Sequence, residues 1–436
     1  MKIAFIRLLV PVIALWGSCL ENRALLAQGV TFATNDYPAR LGPYTYSIAT
    51  ADVLGTGRPA IITANQVDNT LTVFANFGNG TLFISNASYT VGNSPKCIVA
   101  GDINGDGKLD LISVNISDTT VLTNNNFSSF VTSSTLTNMG GNAAALFDLN
   151  NDGKPDLIIG SLNNLVVYTN AGSGRFGYVT GFYVPGNVTS MASADLNSDG
   201  TVDLVVAVYG MNRLFVFTNN GHGALIANGT CQISNYVRTV VAEDINGDGY
   251  PDLIAANLYP PTLLVLTNNG HAIFGLHSTL PVPDGCYSVV AADFNGDGLT
   301  DLIAVDGSRW PGILTVFTNS GAGFGPSFTI AAGHESPTIA VADFNGDNKP
   351  DILLGNTGNS ITVLLNTTPF RPPPLNILSA GNQSVLYWRS PSVKTVLQAT
   401  TNLANPNWFA ITNGAPFQGV TLPRTSPALF FRLQSE

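Results

Sequence analysis

An all-β fold made of repeated, short-stranded units is predicted here by three observations. The chain of 436 residues is 45% hydrophobic but only 11% charged, and it carries 44 Gly and 25 Pro. That mixture suits many short strands joined by tight turns rather than helices. An acidic nine-residue stretch recurs along the chain, and each copy is embedded in the same order of apolar runs. No long heptad or amphipathic helical pattern competes.

The copies are "DINGDGKLD" at 102–110, "DLNNDGKPD" at 148–156, "DLNSDGTVD" at 195–203, "DINGDGYPD" at 244–252, "DFNGDGLTD" at 293–301 and "DFNGDNKPD" at 343–351. A decayed copy, "DVLGTGRPA", lies at 52–60, and successive first aspartates stand 50, 46, 47, 49, 49 and 50 residues apart. Such a period signals a repeat architecture. In each unit a run of small and apolar residues ("SVVAAD", 288–293) leads into the acidic loop. A second apolar run ("DLIAV", 301–305), a variable turn and a third run ("LTVFTN", 314–319) follow. The third run ends in an asparagine that recurs as Asn76, Asn124, Asn170, Asn219, Asn268, Asn319 and Asn366. A Gly-rich turn and a weaker fourth run ("GFGPSFTIAAG", 323–333) close the unit. Four short strands per unit is the pattern of a propeller blade.

Seven loop positions imply seven blades. The lead-in run ends in Ala51, Gly101, Ala194, Ala292 and Ala342, small residues suited to the crowded axis, although Phe147 and Glu243 break the rule. The seventh unit has only three runs before the Pro-rich "PFRPPPL" at 369–375, and "GVTFATNDYPA" at 29–39 is expected to supply the fourth. Pairing first strand with last blade closes the ring and leaves no bare sheet edge. The expected organisation is a signal peptide at 1–27, a propeller at 28–366, a linker at 367–375 and a small β-sandwich-like module at 376–436. Trp388 and Trp408 are expected in the core of that module, which at about 60 residues is marginal alone.

The acidic loop carries the clearest chemistry. Ca²⁺ takes roughly six to eight oxygens in a flexible shell. In D-x-N-x-D-G-x-x-D the first position is Asp102, Asp148, Asp195, Asp244, Asp293 or Asp343, and the third is Asn104, Asn150, Asn197, Asn246, Asn295 or Asn345. The fifth is Asp106, Asp152, Asp199, Asp248, Asp297 or Asp347, and the ninth is Asp110, Asp156, Asp203, Asp252, Asp301 or Asp351. The seventh, which offers a backbone carbonyl, is Lys108, Lys154, Thr201, Tyr250, Leu299 or Lys349. Glycine at the sixth position permits a positive-φ turn, and Asn348, which replaces it in the last loop, tolerates that conformation. An EF-hand would need Glu at position twelve, where Ser113, Ile159, Val206, Ala255, Ala304 and Leu354 stand instead. Six loops take 18 of the 28 acidic residues, which argues against a plain acidic turn; about six structural Ca²⁺ ions are expected. Mg²⁺ fits less well, because it keeps more of its water.

These loops, with "DLIIG" at 156–160 and the Phe-Gly pairs 176–177, 274–275 and 324–325, resemble FG-GAP/VCBS repeats. Those are the calcium-loop blades of integrin α-subunit propellers and of many secreted bacterial proteins. The resemblance covers about 29–366. It implies a calcium-binding propeller but does not select a function, because the family serves adhesion, carbohydrate binding and several enzymes.

Lys2, Arg7, the apolar "LLVPVIALW" and the small residues near Ala27 read as an export signal, its apolar run being short for a membrane span. The expected location is extracellular or at the cell surface, with the periplasm a further compartment that export reaches. "WGSC" places Cys19 in a lipoprotein-like box, but Trp16 stands where such boxes carry Leu, which argues against lipidation. No later segment is apolar enough to span a membrane. Cys97, Cys231 and Cys286 form no disulfide framework and are expected as buried small hydrophobes. Removing residues 1–27 takes the net charge from −10 to −12, which six Ca²⁺ would cancel. The acidity therefore reflects metal ligands, and no basic stripe suggests nucleic acid.

If the acidic loops join first and second strands, the opposite face carries the remaining loops. Its distinctive residues are Tyr209, Tyr236, Arg238, Tyr259, Asp306, Arg309, Trp310, His334 and Glu335, with Met211, Arg213 and Asp284 nearby. Tyr, Trp and Arg are common interface anchors. The expected function is binding or adhesion toward a surface glycan or an extracellular protein. The second reading, a carbohydrate-active enzyme, would need Asp284, Asp306, His334 and Glu335 to converge. No nucleophile motif or phosphate loop supports it, and His222 and His271 share a turn pattern, "NNGH".

Overall fold

A computed structural model describes residues 30–38, 45–80, 83–127, 129–233, 236–306, 312–325, 327–331, 337–356 and 360–369, together with 6–7 and six strands beyond residue 375. Every regular element among them is a strand, and no helix is long and apolar enough to cross a membrane.

The first unit is a four-stranded antiparallel meander of Thr45–Ala51, Ala60–Asn65, Thr70–Asn76 and Phe83–Thr90. The second repeats it with Cys97–Gly101, Asp110–Val114, Asp118–Asn125 and Ser129–Thr137. The fifth uses Val237–Glu243, Asp252–Asn257, Thr262–Asn268 and Phe274–Pro281. The sixth uses Cys286–Ala292, Asp301–Asp306, Ile313–Phe317 and Phe328–Ala331. Second strands such as Ala60–Asn65 and Asp252–Asn257 are buried throughout, because they are covered on both faces, whereas the outer Phe274–Pro281 is half-buried to exposed.

Ring closure follows the expectation. Phe32–Pro38 pairs antiparallel with Ser360–Asn366, beside Asp351–Gly355 and Thr338–Ala342, so the N-terminal strand completes the last unit. The Thr367 N–H donates to the Thr31 carbonyl at 2.8 Å and continues the clasp.

The expected count of seven separate blades is corrected to six sheets, because the third and fourth units share one six-stranded sheet. Asp156–Asn170 and Phe176–Ala194 each run unbroken through a point where other units turn off the sheet. The ladder is carried across by Leu162 opposite Asn187, and the Gly186 N–H donates to the Asn163 carboxamide at 2.7 Å. Ala143–Phe147 at one edge and Asp203–Tyr209, Arg213–Asn219 and Leu225–Gln232 on the other side complete this sheet, which holds two acidic loops.

Among the described residues, buried side chains gather into seven clusters, one between each neighbouring pair of units. The cluster of Ile61, Phe74, Phe344, Leu353 and Val363 joins the seventh unit to the first. The ring is thus a cycle of inter-unit cores. Beyond residue 375, Asn376–Ala380, Gln383–Arg389 and Phe417–Pro423 form one sheet, and Thr395–Thr400, Phe409–Ala410 and Phe430–Ser435 another. Ile6–Arg7, within the stretch read as an export signal, pairs with Phe430–Phe431. Trp388 lies in Gln383–Arg389, and Trp408 lies outside the described residues.

Candidate functional site

Each acidic loop joins the first strand of its unit to the second, so all the loops share one face. The loop folds around its own first carboxylate. Asp102 accepts N–H bonds from Gly105 at 2.7 Å, Asp106 at 3.2 Å and Gly107 at 2.8 Å. Asn104 accepts from Asp106 N–H at 2.9 Å, and Asp106 from Lys108 N–H at 3.0 Å. The turn needs two left-handed residues. The sixth position has φ of 79° at Gly107 and 60° at Asn348, as expected, and the fourth adds Gly105 at 76° and Asn151 at 59°. In the decayed loop Asp52 accepts from Thr56 and Gly57 N–H, so its carboxylate holds the turn without the other ligands.

The ninth aspartate is fully buried in all six loops. Asp110 accepts the Ile103 N–H at 3.1 Å and the Asn124 N–H at 2.6 Å, and the other five repeat both bonds. Asn124 is one of the recurring asparagines, and its side chain reaches the neighbouring unit. Its amide donates to the Val53 carbonyl in the preceding loop at 2.7 Å and to the Leu109 carbonyl in its own at 3.0 Å. Asn170, Asn268, Asn319 and Asn366 do the same with Ile103, Leu196, Ile245 and Phe294. Asn76 reaches Phe344 at 3.1 Å and closes the cycle. Apart from Val53, whose N–H donates to the Ala51 carbonyl at 2.8 Å for want of a ninth aspartate, the residue at loop position two is therefore pinned three ways: its N–H by the ninth aspartate, its carbonyl by the next unit's asparagine, and its side chain by an inter-unit core. Those side chains are Val53, Ile103, Leu149, Leu196, Ile245, Phe294 and Phe344, and each belongs to a different cluster. Only Asn219 breaks the pattern among the described residues, its buried side-chain nitrogen making no hydrogen bond.

Burial pushes the carboxyls of Asp110, Asp156, Asp203 and Asp252 above their usual range. Two N–H bonds pull each back, and the fifth and first aspartates push it up again. Asp301 is pushed up to about 8 and Asp351 to about 6 for the same reasons. The three carboxylates of a loop thus feel one another. Lys108, Lys154 and Lys349 lie 2.7, 3.7 and 3.5 Å from Asp106, Asp152 and Asp347, ion pairs at the fifth position that are worth little when this exposed. Among the described residues no three acidic, His or Cys side chains form a ready-made metal cluster. The donor set still suits a hard cation, because a carboxylate carries roughly four lone-pair sites and Asp102 uses three of its own while Asp110 uses two.

On the opposite face the inner strands begin around a cavity of about 360 Å³. All seven units contribute, from Ser47 in the first to Thr338 in the last, so the cavity lies on the propeller axis. Its wall is rich in hydroxyls and amides and includes Lys96 and Arg238; the Arg238 guanidinium lies 5.1 Å from the centre of the Tyr287 ring. Tyr209 lines the cavity and packs edge-on against Tyr236 at 5.3 Å, which in turn meets Tyr259 at 5.9 Å. These three rings make an exposed run from the axis to the rim. Tyr236 has φ of 69°, a conformation that costs a bulky residue about 1–3 kcal/mol.

Six overlapping matches to the FG-GAP-like repeat cover residues 52–113, 102–159, 148–206, 195–255, 244–304 and 293–354. The chain belongs to the FG-GAP-like repeat family. No curated protein matches it. Among solved structures, the FG-GAP chain is similar to BBS1N in complex with ARL6DN. The mercury-soaked crystal gives a TM-score of 0.58 at 13% identity over 78% of this chain and 99% of that one. The lead-soaked crystal gives 0.56 at 13% identity over 78% and 96%. An Agrocybe aegerita lectin, described as recognising non-reducing terminal N-acetylglucosamine, gives 0.49 at 19% identity over 71% and 85%. At these identities the likeness concerns the fold.

Of the residues singled out in the FG-GAP sequence, Tyr209, Tyr236, Arg238 and Tyr259 come together on the axial face. Asp306 does not join them as a surface group: it is buried at the end of Asp301–Asp306, close enough to push the Cys286 thiol further above the range that burial already raises. Arg309, Trp310, His334 and Glu335 lie outside the described residues. Cys97, Cys231 and Cys286 are free thiols, Cys97 only partly covered. Two features were missed in the sequence. One is the position-two plug, signalled by an apolar residue in every loop copy. The other is a set of exposed apolar residues, Val67 and Ile116 at turns between second and third strands and Leu162 at the corresponding point of the unbroken Asp156–Asn170, which continue the rim begun by Tyr259.

Proposed function

We propose that this protein is an exported FG-GAP propeller, stapled by calcium, whose axial face binds a surface glycan or an extracellular protein. The observation that carries the ligand face is the convergence of all seven units on one polar cavity continuous with the exposed tyrosines. Singly scattered surface hydrophobics need no explanation, but a rim of Val67, Ile116, Leu162 and Tyr259 around a cavity is the anatomy of a recognition surface. The second reading, a carbohydrate-active enzyme, would need acid and base groups at this cavity, and the described residues lining it include no His, Asp or Glu.

In each of the six complete loops calcium would be held by the side chains at positions one, three, five and nine and by the carbonyl at position seven. The ion supplies positive charge between carboxylates that otherwise repel. Extracellular sites of this type bind at roughly 10⁻⁴–10⁻³ M, which suits a secreted protein. The residues beyond 375 are assigned no separate ligand.

A screen of surface glycans and extracellular proteins, with calcium and with chelator, tests this reading. Binding should require calcium and fall at least about tenfold in Tyr236→Ala or Tyr259→Ala, as expected for interface anchors, with melting temperature unchanged. Binding that survives both substitutions would place the ligand elsewhere.

A further inference from the structure

We propose that the axial cavity is an anion-binding subsite that seats the acidic group of a glycan, with the sugars that follow running outward over Tyr209, Tyr236 and Tyr259. The inference rests on the axial face being the ligand face. Two cations, Lys96 from the second unit and Arg238 from the fifth, reach the cavity from well-separated parts of the ring, and no described lining residue is acidic. Arg238 is held in place by its contact with the Tyr287 ring, so little side-chain freedom is lost when it meets an anion. Lys96 is half-buried, and burial lowers its pKa.

The rest of the wall fits a sugar. Asn142 and Asn187 are joined amide to amide at 2.6 Å, and hydroxyls of the inner strands surround them. Groups that both donate and accept match a ring of hydroxyls better than an aliphatic side chain. A cavity of about 360 Å³ is at the small end of ligand sites, which run roughly 300–1,000 Å³, so it takes a terminal residue rather than a chain. The tyrosine run begins at the cavity wall, and aromatic rings offer apolar faces and polar tips to sugars leaving it.

Four defined probes test the proposal on the calcium-loaded chain by calorimetry: a galacturonate trisaccharide, its methyl ester, galactotriose and a sulfated galactotriose. The expected result is acid binding at least about tenfold tighter than ester or neutral sugar, weakening as salt rises. Arg238→Gln and Lys96→Gln should each remove that preference, and Arg238→Lys should restore part of it. Melting temperature and bound calcium report whether each variant is folded, and if Arg238→Gln unfolds, Lys96→Gln carries the test. Tighter binding of the sulfated sugar would keep the acidic-glycan assignment and name sulfate as the anion. Equal affinity for acid and ester, no binding of either acidic probe, or stronger binding of an acidic tripeptide would overturn it. Neutral-glycan or protein binding that needs Tyr259 but not Arg238 would overturn the subsite and leave the broader binding function standing.

Discussion

Asn268 and Asn219 occupy the same repeat position yet make different bonds. Asn268 donates to the Leu196 and Pro251 carbonyls, at 2.8 and 3.0 Å, whereas the corresponding nitrogen of Asn219 is buried without a partner. Leaving a buried polar group unsatisfied costs about 1–3 kcal/mol. Asn268→Ala should therefore lower unfolding stability by about 2 kcal/mol or more, and Asn219→Ala by clearly less; equal losses in denaturant titrations would refute the staple. The recurrence of these asparagines was legible in the sequence, but their bonds between units were not, because one of the two carbonyls lies in another unit, 72 residues away for Asn268. Ligand count is a second residue-scale matter. Asp52 has Leu54, Thr56 and Ala60 where the complete loops have Asn, Asp and Asp, and its oxygens already hold Thr56 and Gly57 N–H groups. Metal analysis of the mature protein should give about six calcium ions, unchanged in Asp52→Asn. A seventh ion lost with Asp52 would contradict the ligand logic.

At the scale of elements, the N-terminal strand carries the test. Phe32–Pro38 is held by seven register pairs to Ser360–Asn366, so removing residues 28–39 bares an edge of the last sheet and opens the ring. Bare edges invite pairing with other chains. The truncated protein should aggregate or melt early by light scattering and circular dichroism; an unaltered melting curve would show that the ring closes without this strand. The strand's role could be read in the sequence because the seventh unit was one run short. The fused third and fourth units could not, because continuity across Leu162 and Asn187 depends on the Asn163–Gly186 bond, which no periodicity reports. The loop's left-handed sixth position was readable from glycine, while the fourth was obscured by Asn151 and Ser198 standing where other copies have glycine.

For the whole molecule, the loops and the ligand face lie at opposite ends of the same inner strands. Loosening the loops should therefore disturb the cavity, although no loop residue touches it. The link runs through the position-two plugs: Ile103, for example, is tied to Asp110, to Asn170 of the next unit and to a core. The acidic-loop face was legible in the sequence because its carboxylates and amides are contiguous. The axial cavity was only half legible: Tyr209 and Arg238 were singled out, but Lys96, Asn142 and Asn187 meet them only once the ring is closed.

The central claim is that calcium in these loops holds the ring together, and differential scanning calorimetry of the mature chain in millimolar calcium and in excess chelator tests it most directly. One site at a hundredfold excess over Kd is worth about 2.7 kcal/mol, and for a propeller of this size each kcal/mol moves the melting temperature by about 1–2 °C. Six sites sharing neighbouring cores need not add. Chelation should lower the melting temperature by at least about 5 °C, reversibly on adding calcium back. Superimposable transitions in calcium and chelator would mean that the acidic loops fold the ring on their hydrogen bonds alone, and the calcium account would fall.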